Sequence, residues 1–180
     1  MEGYDYSQAG SYFVTICTQA KEHLCGEIVD GEMRLNAIGS IVDAEWKRTP
    51  MVRKGVELDE FVIMPNHIHG IILLYGEGME VQKEANELTS RGELQFAPTF
   101  RSPSQTIGSV VRGFKSATVK RINELNGTPG ARIWQRNYYE HIIKGGRDLN
   151  AIRKYIVENP ASWSIDEENR LNADRNTMKK

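Results

Sequence analysis

The sequence predicts an α+β fold, an antiparallel sheet with helices packed mainly on one face in ferredoxin-like fashion. Three observations predict it. Residues 57–64 and 67–75 are apolar runs separated only by Pro65-Asn66, a connection so short that the pair must be antiparallel. Three segments carry apolar residues at helical spacing. The elements alternate as strand, hairpin, helix, two strands, helix, strand and helix, without an internal repeat.

The first strand is residues 11–18, Ser-Tyr-Phe-Val-Thr-Ile-Cys-Thr, aromatic and β-branched. Its apolar positions do not alternate cleanly, so both faces are expected to be covered. A hairpin follows on the Asp30-Gly31 turn. Asn36 is a plausible N-cap for a helix over 37–48, where Ile38, Ile41, Val42 and Trp46 share a face and Pro50 lies just past the end. The longest helix is expected over 105–125, with Ile107, Val110, Val111, Phe114, Ile122 and Leu125 as its apolar stripe. A strand is read at 138–143, ended by Gly145-Gly146, then a helix from about 148 to 158 stopped by Pro160. Residues 76–104, rich in Gly, Glu and Pro, read as a flexible insertion within one domain spanning 1–163, and 164–180 as a polar tail expected to fray.

A chain of 180 residues can build one proper core. Net charge is −1, so nucleic-acid binding must rest on a local patch. Cys17 and Cys25 are too few for a disulfide framework and lack metal-site spacing. No signal peptide and no apolar run near the roughly 20 residues of a membrane span are visible, so a cytoplasmic protein is expected.

The chemistry-bearing residues fall in two places. His67 and His69 flank Ile68 on a strand, and successive side chains point to opposite faces, so both imidazoles share one face, close enough to hold one ion. A buried strand carrying two histidines by chance is the plainer alternative. On the last helix Tyr155 and Asn159 are four residues apart on one face. Asn159 precedes Pro160, which is expected to push its backbone out of the α region and leave its carboxamide oxygen free as a ligand. Here the plainer alternative is a core aromatic followed by a C-cap.

Together these residues resemble a known family. His67-Ile68-His69 after an apolar strand is similar to the HUH motif (His, hydrophobe, His). With Trp134-Gln135 through His141, Asp148-Leu149, and Tyr155-Ile156-Val157-Glu158-Asn159-Pro160, the pattern resembles the REP-associated tyrosine transposases, relatives of single-tyrosine insertion-sequence transposases. The opening Tyr4-Asp5-Tyr6-Ser7 and Tyr12 through Thr18 are similar too, so the resemblance covers about residues 3–163.

The resemblance implies an HUH endonuclease fold and residue-level roles. His67 and His69 would be metal ligands, Tyr155 the nucleophile, and Asn159 the third ligand, where the wider group commonly has Gln. It implies cleavage of single-stranded or hairpin DNA through a 5′-phosphotyrosine, with a free 3′-hydroxyl and strand transfer. The cofactor would be a divalent ion, Mg or Mn, with imidazole favouring Mn. Two imidazoles and an amide are neutral, so the ion would keep its full charge. Arg112, Lys115, Lys120, Arg121, Arg136 and Lys144 are candidate DNA-backbone contacts, an ordinary solvated face being the alternative. Relatives act as monomers or homodimers, and the REP-associated branch favours the monomer. A non-cleaving DNA-binding regulator on the same fold is the second hypothesis. A structural metal site is the third, and two good ligands are too few for the usual closed zinc site.

Overall fold

The computed structural model describes residues 9–75, 106–166 and 168–169. The insertion expected at 76–104, the opening tyrosines and most of the C-terminal tail lie outside the described residues.

The elements follow the expected order. They are β1 (Gly10–Cys17), the hairpin β2 (Gly26–Val29) and β3 (Glu32–Leu35), α1 (Ala37–Val52), β4 (Val56–Met64), β5 (His67–Leu74), α2 (Ile107–Asn126), β6 (Tyr139–Ile142) and α3 (Gly145–Glu158). The main sheet runs β4-β5-β1-β6 with every pairing antiparallel. That is a ferredoxin-like order, with the two crossovers made by α1 and α2.

Local chemistry explains the boundaries. Asn36 caps α1 by accepting a hydrogen bond from Gly39 N at 2.9 Å. Asp30 and Gly31 both take positive φ, 54° and 78°, as a tight hairpin turn requires. Thr106 caps α2, and Gly127 ends it in the left-handed region. Three expectations are corrected. Helix α1 runs through Pro50 to Val52, because a proline in the last turn forfeits a single helical hydrogen bond. Gly145 and Gly146 open α3 instead of preceding it, with Asp148 accepting from Lys144 N at 2.8 Å across the first turn. Leu125, expected in the apolar stripe of α2, is exposed.

Strand parity divides the sheet into two faces. Tyr12, Val14, Ile16, Ile68 and Ile72 point into the main core under α1 and α2. Those helices are joined by Trp46 packing edge-on against Phe114 and by an Arg121–Glu45 ion pair of 2.7 Å. The opposite face carries Phe13, Thr15, Cys17, His67, His69 and Ile71. Helix α3 covers part of it, through a small cluster of Phe13, Ile71 and Ile156 edged by Val62, Leu149 and Ile152. Two of three helices therefore lie on one face, and the third sits over the histidines. Among the described residues no helix is long and apolar enough to cross a membrane.

Candidate active site

Strand β5 is central and buried, and it holds His67 and His69 side by side with ring centroids 4.4 Å apart. Each imidazole is oriented through its Nδ1. Asn66 donates its amide hydrogens to the carbonyls of Glu168 (2.8 Å) and Lys21 (3.3 Å). Its Oδ1 must then be the acceptor facing His67 Nδ1 at 2.8 Å, so that nitrogen carries the proton. The Nε2 of His67 is left as a buried lone pair without a partner. The turn that presents Asn66 is pinned as well, since Pro65 O accepts from Cys25 N and Asn66 O accepts from Thr18 N.

His69 lies opposite Thr15 of β1, and Thr15 Oγ1 is 2.9 Å from its Nδ1. Its Nε2 faces the Tyr155 hydroxyl at 3.2 Å. Phe13 packs against both, stacked on His69 and edge-on to Tyr155. Burial pulls both histidines down from 6.5 to about 3, with the Lys21 charge adding to the shift at His67. Both rings are therefore neutral at pH 7, the form that ligates a metal.

Asn159 is buried with its Oδ1 unpartnered, while its Nδ2 donates to Asp166 Oδ2 at 3.0 Å. The expected departure of its backbone from the α region does not occur: φ is −59° and ψ −43°. The chain keeps turning past Pro160, with Ser162 N bonded to Glu158 O and Asn159 O. Beyond this turn the chain does not fray at once. Trp163 lies over His67, Asn169 is buried, and Asp166 and Glu168 line the site.

Ligand atoms of His67, His69 and Asp166 lie within 4.8 Å of one another. Two imidazoles and a carboxylate suit a divalent ion, and the orphaned oxygen of Asn159 belongs to a side chain bonded to Asp166. Sequence reasoning singled out both histidines, Tyr155 and Asn159, and the structure places all four around this group. It missed Asp166, whose charged surroundings read as solvated tail. The nearby Trp163, an aromatic past the helix stop, was the available signal that this segment packs.

His69, Tyr155 and Asp166 border a cavity of about 760 Å³. Cys17 lines it too, but burial and the Glu168 carboxylate push its thiol up to about 12, so it stays protonated. The predicted cations are dispersed. Lys115 donates to the carbonyls of Gln135 (2.9 Å) and Asn137 (3.0 Å) and so holds the loop before β6. Arg121 pairs with Glu45, and Lys120 with Glu124. Arg112, Arg136 and Lys144 are exposed and form no ion pair among the described residues.

No family model matches the chain. An uncharacterised protein of Haemophilus influenzae is 38% identical over 175 residues, which span 93% of this chain and 89% of that one. The chain belongs to the same family as that protein. Among solved structures, a REP-associated tyrosine transposase bound to a REP hairpin matches with a TM-score of 0.55 and 18% identity, over 90% of this chain and 74% of that chain. At this identity the match shows the fold, and the fold is the HUH endonuclease fold expected from the sequence.

Proposed function

We propose that the protein is a metal-dependent single-strand DNA endonuclease and strand transferase, a REP-associated tyrosine transposase. One observation carries the reading. The Tyr155 hydroxyl meets His69 Nε2, and in the adjoining His67–His69–Asp166 group His67 Nε2 and the Oδ1 of Asn159, whose amide bonds Asp166, are buried without partners. Buried polar atoms without partners are rare and costly, and a bound cation would satisfy them. His67, His69, Asn159 and Asp166 would hold the ion, with nitrogen donors favouring Mn over Mg. Bound there, it supplies Lewis-acid polarisation of a phosphodiester. Asp166 adds a negative charge to a donor set expected to be neutral.

The chain's own groups do the rest. Phe13 and the docked α3 hold the Tyr155 oxygen against the site. That oxygen forms the new bond to phosphorus while the P–O3′ bond breaks. The proton lost by Tyr155 is balanced by the one the leaving 3′ oxygen gains. A 5′-phosphotyrosine and a free 3′-hydroxyl result, and reversal onto another 3′-hydroxyl joins strands without a nucleotide cofactor. Tyr155 meets a histidine of its own chain, an arrangement in which the nucleophile would serve its own subunit. The proposed partner is single-stranded or hairpin DNA, the matched transposase being bound to a REP hairpin, with Arg112, Arg136 and Lys144 steering its backbone.

The test is a covalent-adduct assay. Labelled single-stranded hairpin DNA is mixed with the protein in Mn, Mg or chelator and resolved on a denaturing gel. A metal-dependent shifted band, lost with Tyr155→Phe and His67→Ala, is the expected result. DNA binding without any adduct across several hairpins would favour the non-cleaving regulator.

A further inference from the structure

Tyr139 is a large aromatic with 60% of its surface exposed, at the edge of the same cavity that holds Tyr155 and His69. An exposed tyrosine on a sheet edge is unremarkable alone, but its register is informative. Tyr139 lies directly opposite Thr15, and Thr15 lies opposite His69. The three residues form one row across the sheet, on the face that carries the histidines. Two strand spacings, about 10 Å, separate Tyr139 from His69. The nucleotides flanking a phosphate held at Tyr155 would cross that distance.

The surroundings fit a nucleobase. Phe13 supports the Tyr139 ring edge-on with centroids 6.4 Å apart, so the ring is braced from within the sheet. Gln135 and Asn137 line the same cavity with amide groups able to pair with a base edge. Arg136 before β6 and Lys144 after it are exposed and complement the adjoining phosphates. The neighbouring Tyr138 is already committed, its hydroxyl bonded to Glu140 and its ring beneath the Lys115 ammonium.

We propose that Tyr139 is the stacking platform for a base of the single strand beside the reacting phosphate. This rests on reading the cavity as the place where a DNA strand meets Tyr155. Base–aromatic stacking tolerates any base, so Tyr139 would set position along the strand, with sequence preference left to Gln135 and Asn137.

The experiment uses hairpin DNA with a single-stranded flank carrying 2-aminopurine at successive positions, bound to full-length protein in chelator. The wild type should quench fluorescence at one position. Tyr139→Ala should abolish that quench and weaken binding roughly tenfold, while Tyr139→Phe should retain both. An unchanged quench in Tyr139→Ala, equal loss in Tyr139→Phe, or no quench at any position with the wild type would overturn the proposal. The adduct assay on the same DNA separates the two readings. A quench that depends on the Tyr139 ring without any adduct would retain the platform and overturn the transposase reading. A normal adduct with an unaffected Tyr139→Ala would do the reverse.

Discussion

The Tyr155 hydroxyl lies 3.2 Å from Nε2 of His69, the same lone pair that a metal ion would take. One lone pair cannot serve both. On the proposed reading, a metal ion held by His69 Nε2 would take the place of the Tyr155 hydroxyl there and leave its oxygen free toward the cavity. Tyr155→Phe removes the competitor, so its Mn affinity by calorimetry should equal or exceed that of the wild type while adduct formation disappears. A tenfold weaker affinity in Tyr155→Phe would make Tyr155 a ligand and sink this account.

Asn66 fixes His67 in the tautomer that leaves Nε2 bare. Groups that orient a metal-binding histidine are typically worth 10- to 100-fold in metal affinity or activity. Asn66→Ala should lower Mn affinity by about that factor. Asn66→Asp keeps the acceptor but turns its second oxygen onto the Glu168 and Lys21 carbonyls, so it should recover only part of the loss. Equal losses in both variants would indicate damage to the pinned turn instead of loss of orientation.

Asp166 either ligates the ion or only holds the Asn159 amide at 3.0 Å. Asp166→Asn preserves an oxygen acceptor for that amide but removes the charge. If Asp166 is a ligand, Asp166→Asn should weaken Mn affinity at least about tenfold, with adduct yield at saturating metal largely restored. Unchanged affinity would confine it to positioning Asn159.

What was legible in the sequence follows from periodicity. Two-residue alternation placed His67 and His69 on one face, and four-residue spacing placed Tyr155 and Asn159 on one helix side. Thr15 and Asn66 were not legible as partners of imidazoles, because their roles depend on cross-strand register and on a turn held by distant backbone. Lys115 looked like any lysine on a solvated helix face, yet its ammonium is taken up by carbonyls about twenty residues on. Asp166 had no period to reveal it, since one turn beyond Pro160 folds it back onto Asn159.

Gly70 leaves room for the indole that supports β5 behind the histidines. A Cβ there would stand 2.4 Å from the Trp46 ring and 3.2 Å from the Phe61 side chain. Trp46 is fully buried and has nowhere to move. Gly70→Ala should cost about 1–3 kcal/mol and lower Tm by several degrees, measured by calorimetry. An unchanged Tm would show that α1 shifts freely on the sheet.

Helix α3, which carries Tyr155, is tied to β4 by the bidentate Arg153–Asp59 pair, with Nε 2.8 Å from Oδ1, at the register shift in that strand. These hydrogen bonds hold the Asp59 carboxyl below its ordinary value. The folded protein then binds fewer protons than the unfolded chain at acid pH, so the pair's contribution is complete above the unfolded carboxylate value, about 3.9, and fades as pH falls through the lower folded value. Arg153 is 41% exposed, which limits the pair to under about 1 kcal/mol. Asp59→Asn should therefore lower Tm by a few degrees at pH 7, with the difference from wild type closing below about pH 4. Because the apolar contact under α3 is small, amide exchange in α3 should quicken more than elsewhere, and adduct yield should fall further than Tm implies. A Tm difference that persists undiminished at acid pH would mean that the ion pair is not what secures the tyrosine helix.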